Sequence, residues 1–102
     1  MRITRKDQQA FTPYGGPGIT KAELWRGKHD VTFELFQLKK GAAYPEHLHD
    51  CWETMYIVSG RLNLSGTILD AGDFVFTEPG EIHVADILDD TVVLLGFGKT
   101  YG

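Results

Sequence analysis

The chain has a single cysteine, Cys51, among its 102 residues. No internal disulfide can form, which excludes a small secreted scaffold stapled by disulfides and leads us to expect a reducing, cytoplasmic setting. Basic residues are few, ten against fourteen acidic ones. No lysine or arginine cluster offers a phosphate-binding patch, so nucleic acid is not an expected partner. Long apolar runs are missing as well. TVVLLGFG near the C-terminus falls far short of the roughly 20 residues that a membrane-spanning helix needs. The N-terminal MRITRKDQQAF lacks the apolar centre of a secretory signal, and no membrane partner is expected. No stretch combines a 3.6-residue period with capping residues, so helix is expected at most over residues 5–11. Tandem repeats, linkers and low-complexity segments are absent.

What is present is a rhythm of turns. Gly or Pro recurs at intervals of four to fifteen residues: GGPG at 15–18, then Gly27, Gly41, Pro45, Gly60, Gly66, Gly72 and Pro79-Gly80. The short segments between them are rich in Val, Ile, Leu, Phe, Thr and Tyr. This pattern predicts an all-β sandwich or barrel, with strands near 20–25, 31–38, 42–48, 53–58, 61–64, 67–69, 74–76, 82–87 and 91–97. Ser65-Gly66 joins two of these as a tight hairpin turn would. At this length one domain over 1–102 is expected, with residues 1–18 as an N-terminal extension and loop.

The stretch GAAYPEHLHDCWETMYIVSG, Gly41 to Gly60, carries the chemistry. Residues i and i+2 share a strand face, so His47 and His49 project to one side. Glu53 lies past the turn, on a returning strand. A second segment, GDFVFTEPGEIH, delivers His83 onto another strand after a Pro-Gly turn. Three imidazoles and a carboxylate are the ligand types that hold Fe, Mn, Ni, Co, Cu or Zn, and a metal centre at His47, His49, Glu53 and His83 is the reading we adopt. Alternatives stay open at each position. An isolated H-x-H pair is often only polar, Glu53 can be solvated or can orient a histidine ligand without touching metal, and a lone histidine at the start of an apolar strand is usually structural.

These residues resemble the cupin superfamily. Gly41, His47, His49, Glu53 and Gly60 match every fixed position of the first cupin motif, G-x5-H-x-H-x3-E-x6-G. Gly72, Gly80 and His83 keep the spacing of the second. Two positions depart from it: Glu78 stands where proline is usual, with Pro79 one place later, and Ile87 stands where asparagine is usual. Neither is a ligand position. The resemblance covers residues 31–97, the part expected to form the barrel core, and implies an all-β cupin jelly-roll β-barrel of two packed antiparallel sheets. KAELWRG and LLGFGK are similar to small single-domain cupins, among them dioxygenase-like members and the metal-binding cupin domain of some anti-sigma factors. Small cupins usually pair their sheets across a twofold axis, so a homodimer is implied, with Phe11, Tyr14, Trp25 and Phe36 as candidates for the contact.

Strand alternation places Met55 and Ile57 with Glu53, and Ala85 and Ile87 with His83, as the lining of the metal's surroundings. Trp52 and Tyr56 fall on the opposite face. Phe74 and Phe76 share a face whose direction the alternation leaves open. His29, Arg61, Glu78, Glu81 and Asp86 read as exposed charges. Cys51 reads as a turn residue facing away, with a thiolate contact to metal as the alternative. Tyr44 reads as lying away from the barrel mouth, with a reach to the mouth as the alternative. So apolar a neighbourhood has few proton-transfer groups, which disfavours chemistry needing a positioned acid or base and favours a redox metal that does much of the work. The expectation is a non-haem metal-dependent dioxygenase acting on a small-molecule chelating substrate, a ketone, enol or hydroxy acid. A non-catalytic metal-binding sensor or structural module is the alternative, closed zinc ligation being the mark of a structural site. A metal-dependent isomerase or lyase of a sugar derivative, with a base among Tyr44, Glu78 and Asp86, is a third reading.

Overall fold

The computed structural model describes residues 1–48 and 51–99, without the side chains of 45–48. Ten strands follow in chain order: β1 (Thr12–Pro13), β2 (Ile19–Arg26), β3 (Thr32–Leu38), β4 (Ala43–Leu48), β5 (Trp52–Ser59), β6 (Arg61–Leu64), β7 (Thr67–Asp70), β8 (Phe74–Thr77), β9 (Ile82–Ile87) and β10 (Thr91–Gly98). The expected strands all form. The pair Thr12–Pro13, inside the segment read as an extension, adds an edge strand by pairing with Thr20 and Lys21. Helix is limited among the described residues to 3-10 turns at Lys6–Gln8 and Lys28–Asp30.

The strands build two antiparallel sheets, one in the order β1-β2-β3-β10-β5-β8 and one in the order β4-β9-β6-β7. This is the jelly roll. Alternation explains its core. On β3, Thr32, Glu34, Phe36 and Leu38 are buried while Phe33 and Gln37 are exposed; on β10, Thr91, Val93 and Leu95 are buried. These inward side chains meet Ile57 of β5, Leu62 of β6 and Ile87 of β9, all at most 3% exposed. Each closes space that no water could fill favourably, and truncating such a side chain to alanine typically costs about 2–5 kcal/mol.

The hairpin between β6 and β7 forms at Ser65-Gly66, both with positive φ, 46° and 96°. Two consecutive positive φ values define a type I′ turn, whose twist matches that of paired strands. The Gly66 N–H donates to Asn63 Oδ1 at 2.7 Å, which locks the turn.

The outer face of the larger sheet corrects the aromatic reading. Phe36 is 3% exposed and faces inward, so it cannot contribute to an outward patch. Tyr14 packs edge-on to it, ring centres 5.8 Å apart. Trp25 and Tyr14, both expected there, are exposed, and Phe33, Tyr56, Phe74 and Phe76 are exposed besides. Alternation on β8 leaves Val75 packed on the core and turns both phenylalanines out.

Candidate metal centre and its cavity

A small cavity lies between the two sheets. Phe36 and Leu38 of β3, Met55 of β5, Leu62 of β6, Ala85 of β9, and Val93 and Leu95 of β10 form its apolar wall. Its polar groups are Tyr44, Glu53 and His83. The space open to the centres of water-sized atoms is ≈ 40 Å³, room for about three waters at the 10–15 Å³ each requires. Only a compact ligand fits beside these side chains as they stand.

Glu53 enters from the larger sheet. It pairs with Phe97 on one side and with buried Thr77 on the other. Burial pushes its carboxyl up from 4.5 to about 7, because the apolar surroundings penalise the charged form. His83 enters from the smaller sheet, and both of its ring nitrogens are shielded from solvent. A carboxylate and an imidazole from different sheets thus border one cavity.

His47 stands opposite His83 in the β4–β9 ladder. A bulge makes this register. Tyr44 pairs with Ala85 and His47 with His83, so three steps along β4 match two along β9. Its side chain and all of His49 lie outside the described residues. Among the described residues no group of three or more His, Cys, Asp or Glu side chains is gathered for a metal.

Met55 and Ala85, expected near the metal, line the cavity. Ile57 and Ile87 share those strand faces but are not among the residues that line this cavity. Two residues further along a strand is nearly 7 Å, and at that depth both are sealed in the core, 0% and 3% exposed. Trp52 packs against Gly98 and Tyr56 is exposed, both away from the cavity. Cys51 is half-buried, and His29, Arg61, Glu78, Glu81 and Asp86 are exposed.

Tyr44 is the polar group that strand alternation obscured. Counting back by twos from His47 puts it on the opposite face, yet the bulge turns it into the cavity. The signal was Pro45, since proline in a strand is confined to edges and bulges, and β4 is an edge strand. The Tyr44 phenol is held well above its usual range, first by burial, then by Tyr14, which is hydrogen-bonded to it, and by the nearby Glu53 and Glu34 carboxylates. Both influences favour the protonated phenol. No helix among the described residues is long and apolar enough to cross a membrane.

Comparison with known proteins places this architecture. An RmlC-like cupin from Shewanella frigidimarina superimposes with a TM-score of 0.87 at 22% identity, covering 98% of this chain and 92% of that one. The complex of Rhodobacter sphaeroides SigE with the anti-sigma ChrR contains a similar chain, with a TM-score of 0.79 and 22% identity over 90% of this chain; the match spans 51% of that longer chain. An acetylacetone dioxygenase from Acinetobacter johnsonii matches with a TM-score of 0.81 at 15% identity, covering 96% and 72% of the two chains. No curated protein matches by sequence. The model of the ChrR cupin-like domain matches residues 1–100, and with the two-sheet jelly roll already described the chain belongs to the ChrR cupin-like family of the cupin superfamily.

Proposed function

We propose that this cupin holds one divalent transition metal ion through His47, His49, Glu53 and His83, and that the cavity beside it receives a compact ligand chelating through two oxygens. The observation that carries this reading is the meeting of Glu53 and His83, from opposite sheets, in a cavity otherwise apolar except for Tyr44. A buried carboxyl poised near neutrality and a solvent-shielded imidazole are donors whose desolvation a cation would offset. Iron, manganese, nickel, cobalt, copper and zinc all accept this donor set.

The reaction class that fits best is dioxygenase-type oxidation of a small ketone, enol or hydroxy acid. When bound, a redox-active metal supplies Lewis-acid polarisation of the substrate oxygens and a site for O2. The chain's own part is narrower. Glu53 and His83 fix the ligand geometry, the apolar wall excludes water, and Tyr44 offers a protonated phenol at the wall. The poverty of bases argues against isomerase or lyase chemistry, since burial favours the protonated form of Tyr44 and Glu78 and Asp86 are exposed. The likeness to an acetylacetone dioxygenase supports the class only through the fold.

A sensor without turnover is the second reading, favoured by the family match to the ChrR cupin-like domain and by the small cavity. Metal analysis of protein purified without added metal separates the two. Iron with oxygen uptake on a panel of diketones and hydroxy acids supports the enzyme; stoichiometric zinc with no exchangeable water and no uptake by the iron-loaded protein supports the sensor. A homodimer remains part of the proposal, carried now by the outward face of β3, β10, β5 and β8.

A further inference from the structure

The cavity is polar at one end and apolar at the other. In the larger sheet its lining begins at Glu53, passes one rung deeper to the paired Met55 and Leu95, then to the paired Phe36 and Val93, and ends at Leu38. In the smaller sheet it begins at His83, passes to the paired Tyr44 and Ala85, and ends at Leu62. Each rung is two residues, nearly 7 Å along a strand. Both sheets thus run in the same order, from cation-binding groups to side chains that only exclude water. Beyond the Tyr44 rung every described lining side chain is a hydrocarbon. That end is closed, because Ile57 beside Val93 and Ile87 beside Leu62 are 0% and 3% exposed.

Among the described lining residues only Ala85 is smaller than valine. It stands on the middle rung of β9, paired with Tyr44 on β4 and with Leu64 on β6, where a longer side chain would project across the space. The missing carbons leave a notch between the polar end and the closed one. With ≈ 40 Å³ open to the centres of water-sized atoms, the cavity has room for about three such atoms in a row. Water gains little there, since a hydrocarbon wall gives it no hydrogen-bond partners. A hydrocarbon tail does gain: each methylene moved from water into such a wall tightens binding about fourfold.

We propose that Ala85 is a specificity-determining residue that sets the length of an alkyl tail on the ligand, so that the site selects two-oxygen chelators bearing a tail of no more than about three carbons. This rests on the metal-dependent reading above, because the metal anchors the chelating head beside Glu53 and His83; the lodging of the tail in the deep end is the new element. Glycolate, lactate, 2-hydroxybutyrate, 2-hydroxyvalerate and 2-hydroxyhexanoate are suitable probes. They share one chelating head and differ only in the tail. The chain also carries its own reporter, because it has two methionines, Met55 at the cavity wall and Met1 fully exposed.

The test uses nickel-loaded protein, with nickel per chain measured for each variant and Kd along the series measured by calorimetry. In wild type, affinity should rise about fourfold per tail carbon, peak no later than 2-hydroxyvalerate and fall at 2-hydroxyhexanoate. Ala85→Val fills the notch and should move the peak to a shorter tail, while Val93→Ala opens the deep end and should move it to a longer one; glycolate, which has no tail, should bind all three proteins alike. Affinities level within about twofold along the series, half the gain expected of one methylene, overturn the proposal, as does a peak that neither variant moves. Failure to bind nickel or glycolate would sink the metal reading separately. The deep end is then decided in metal-free protein under xenon, a probe that enters apolar cavities: the 13C resonance of the Met55 methyl should move while that of Met1 stays, and Ala85→Val should suppress the movement. A Met55 methyl unmoved by xenon overturns the tail pocket whatever the metal does.

Discussion

Lys21 and Glu34 form an ion pair across β2 and β3 at 2.9 Å, with the carboxylate side chain only 4% exposed and the ammonium side chain 28% exposed. One partner is in the core and the other reaches water. Their attraction offsets the desolvation of Glu34, so removing the lysine leaves a buried carboxylate uncompensated.

Lys21→Met should therefore destabilise the protein by about 2 kcal/mol, below the 3–5 typical of fully buried pairs because solvent reaches one side. Replacing both, Lys21→Met with Glu34→Leu, should recover most of that loss. Urea denaturation with a constant m-value checks both. A double variant as unstable as the single one would contradict the argument.

Glu53 gives the metal-free protein a pH dependence of definite sign. Its carboxyl is pushed up from 4.5 to about 7 in the folded state, so between these values the native chain holds a proton that the unfolded chain releases. Stability is then greatest below about 4.5, falls as pH rises towards 7, and is flat above. The loss is about 3 kcal/mol at 1.36 kcal/mol per pH unit. Glu53→Gln should remove this slope, and the difference between the two proteins isolates Glu53 from the histidines. Metal affinity should rise with pH over the same window, because binding must displace the proton; competition titrations at pH 5, 6 and 7 would measure it.

Gly41 and Gly60 bound the first motif for different reasons. Both have positive φ, 84° and 94°. A Cβ at Gly41 would meet nothing, whereas at Gly60 it would collide with the Asp90 carbonyl oxygen and with Thr91. Gly41→Ala should cost about 1 kcal/mol, the left-handed penalty alone. Gly60→Ala should cost roughly 3 kcal/mol or more, adding overpacking against backbone. Thermal unfolding ranks them directly.

Phe74 is 61% exposed on the outer face of β8 and pairs with Tyr56, itself 43% exposed. Phe74→Glu should change monomer stability by no more than about 0.5 kcal/mol while weakening a homodimer joined through this face. Light scattering at micromolar concentration checks it, and a wild-type monomer would remove the dimer from the proposal.

Much of this protein is written in short-range pattern. Turn glycines, alternation on β3 and β10, and the Ser65-Gly66 hairpin are legible because they depend on residues two to four apart, whose geometry the backbone dictates. The motif spacing likewise points to Glu53 and His83 before any coordinates. What the chain alone leaves open is decided by pairing between strands distant in sequence. The bulge at Tyr44–His47 exists only against β9, and it reverses the face of Tyr44. Phe36 turns inward and Phe74 outward because of the sheets that cover or leave bare their faces. Ile57 and Ile87 lie beyond the cavity because its depth is set by side chains from both sheets. Local sequence determines which residues alternate; packing of the second sheet determines which side is inside.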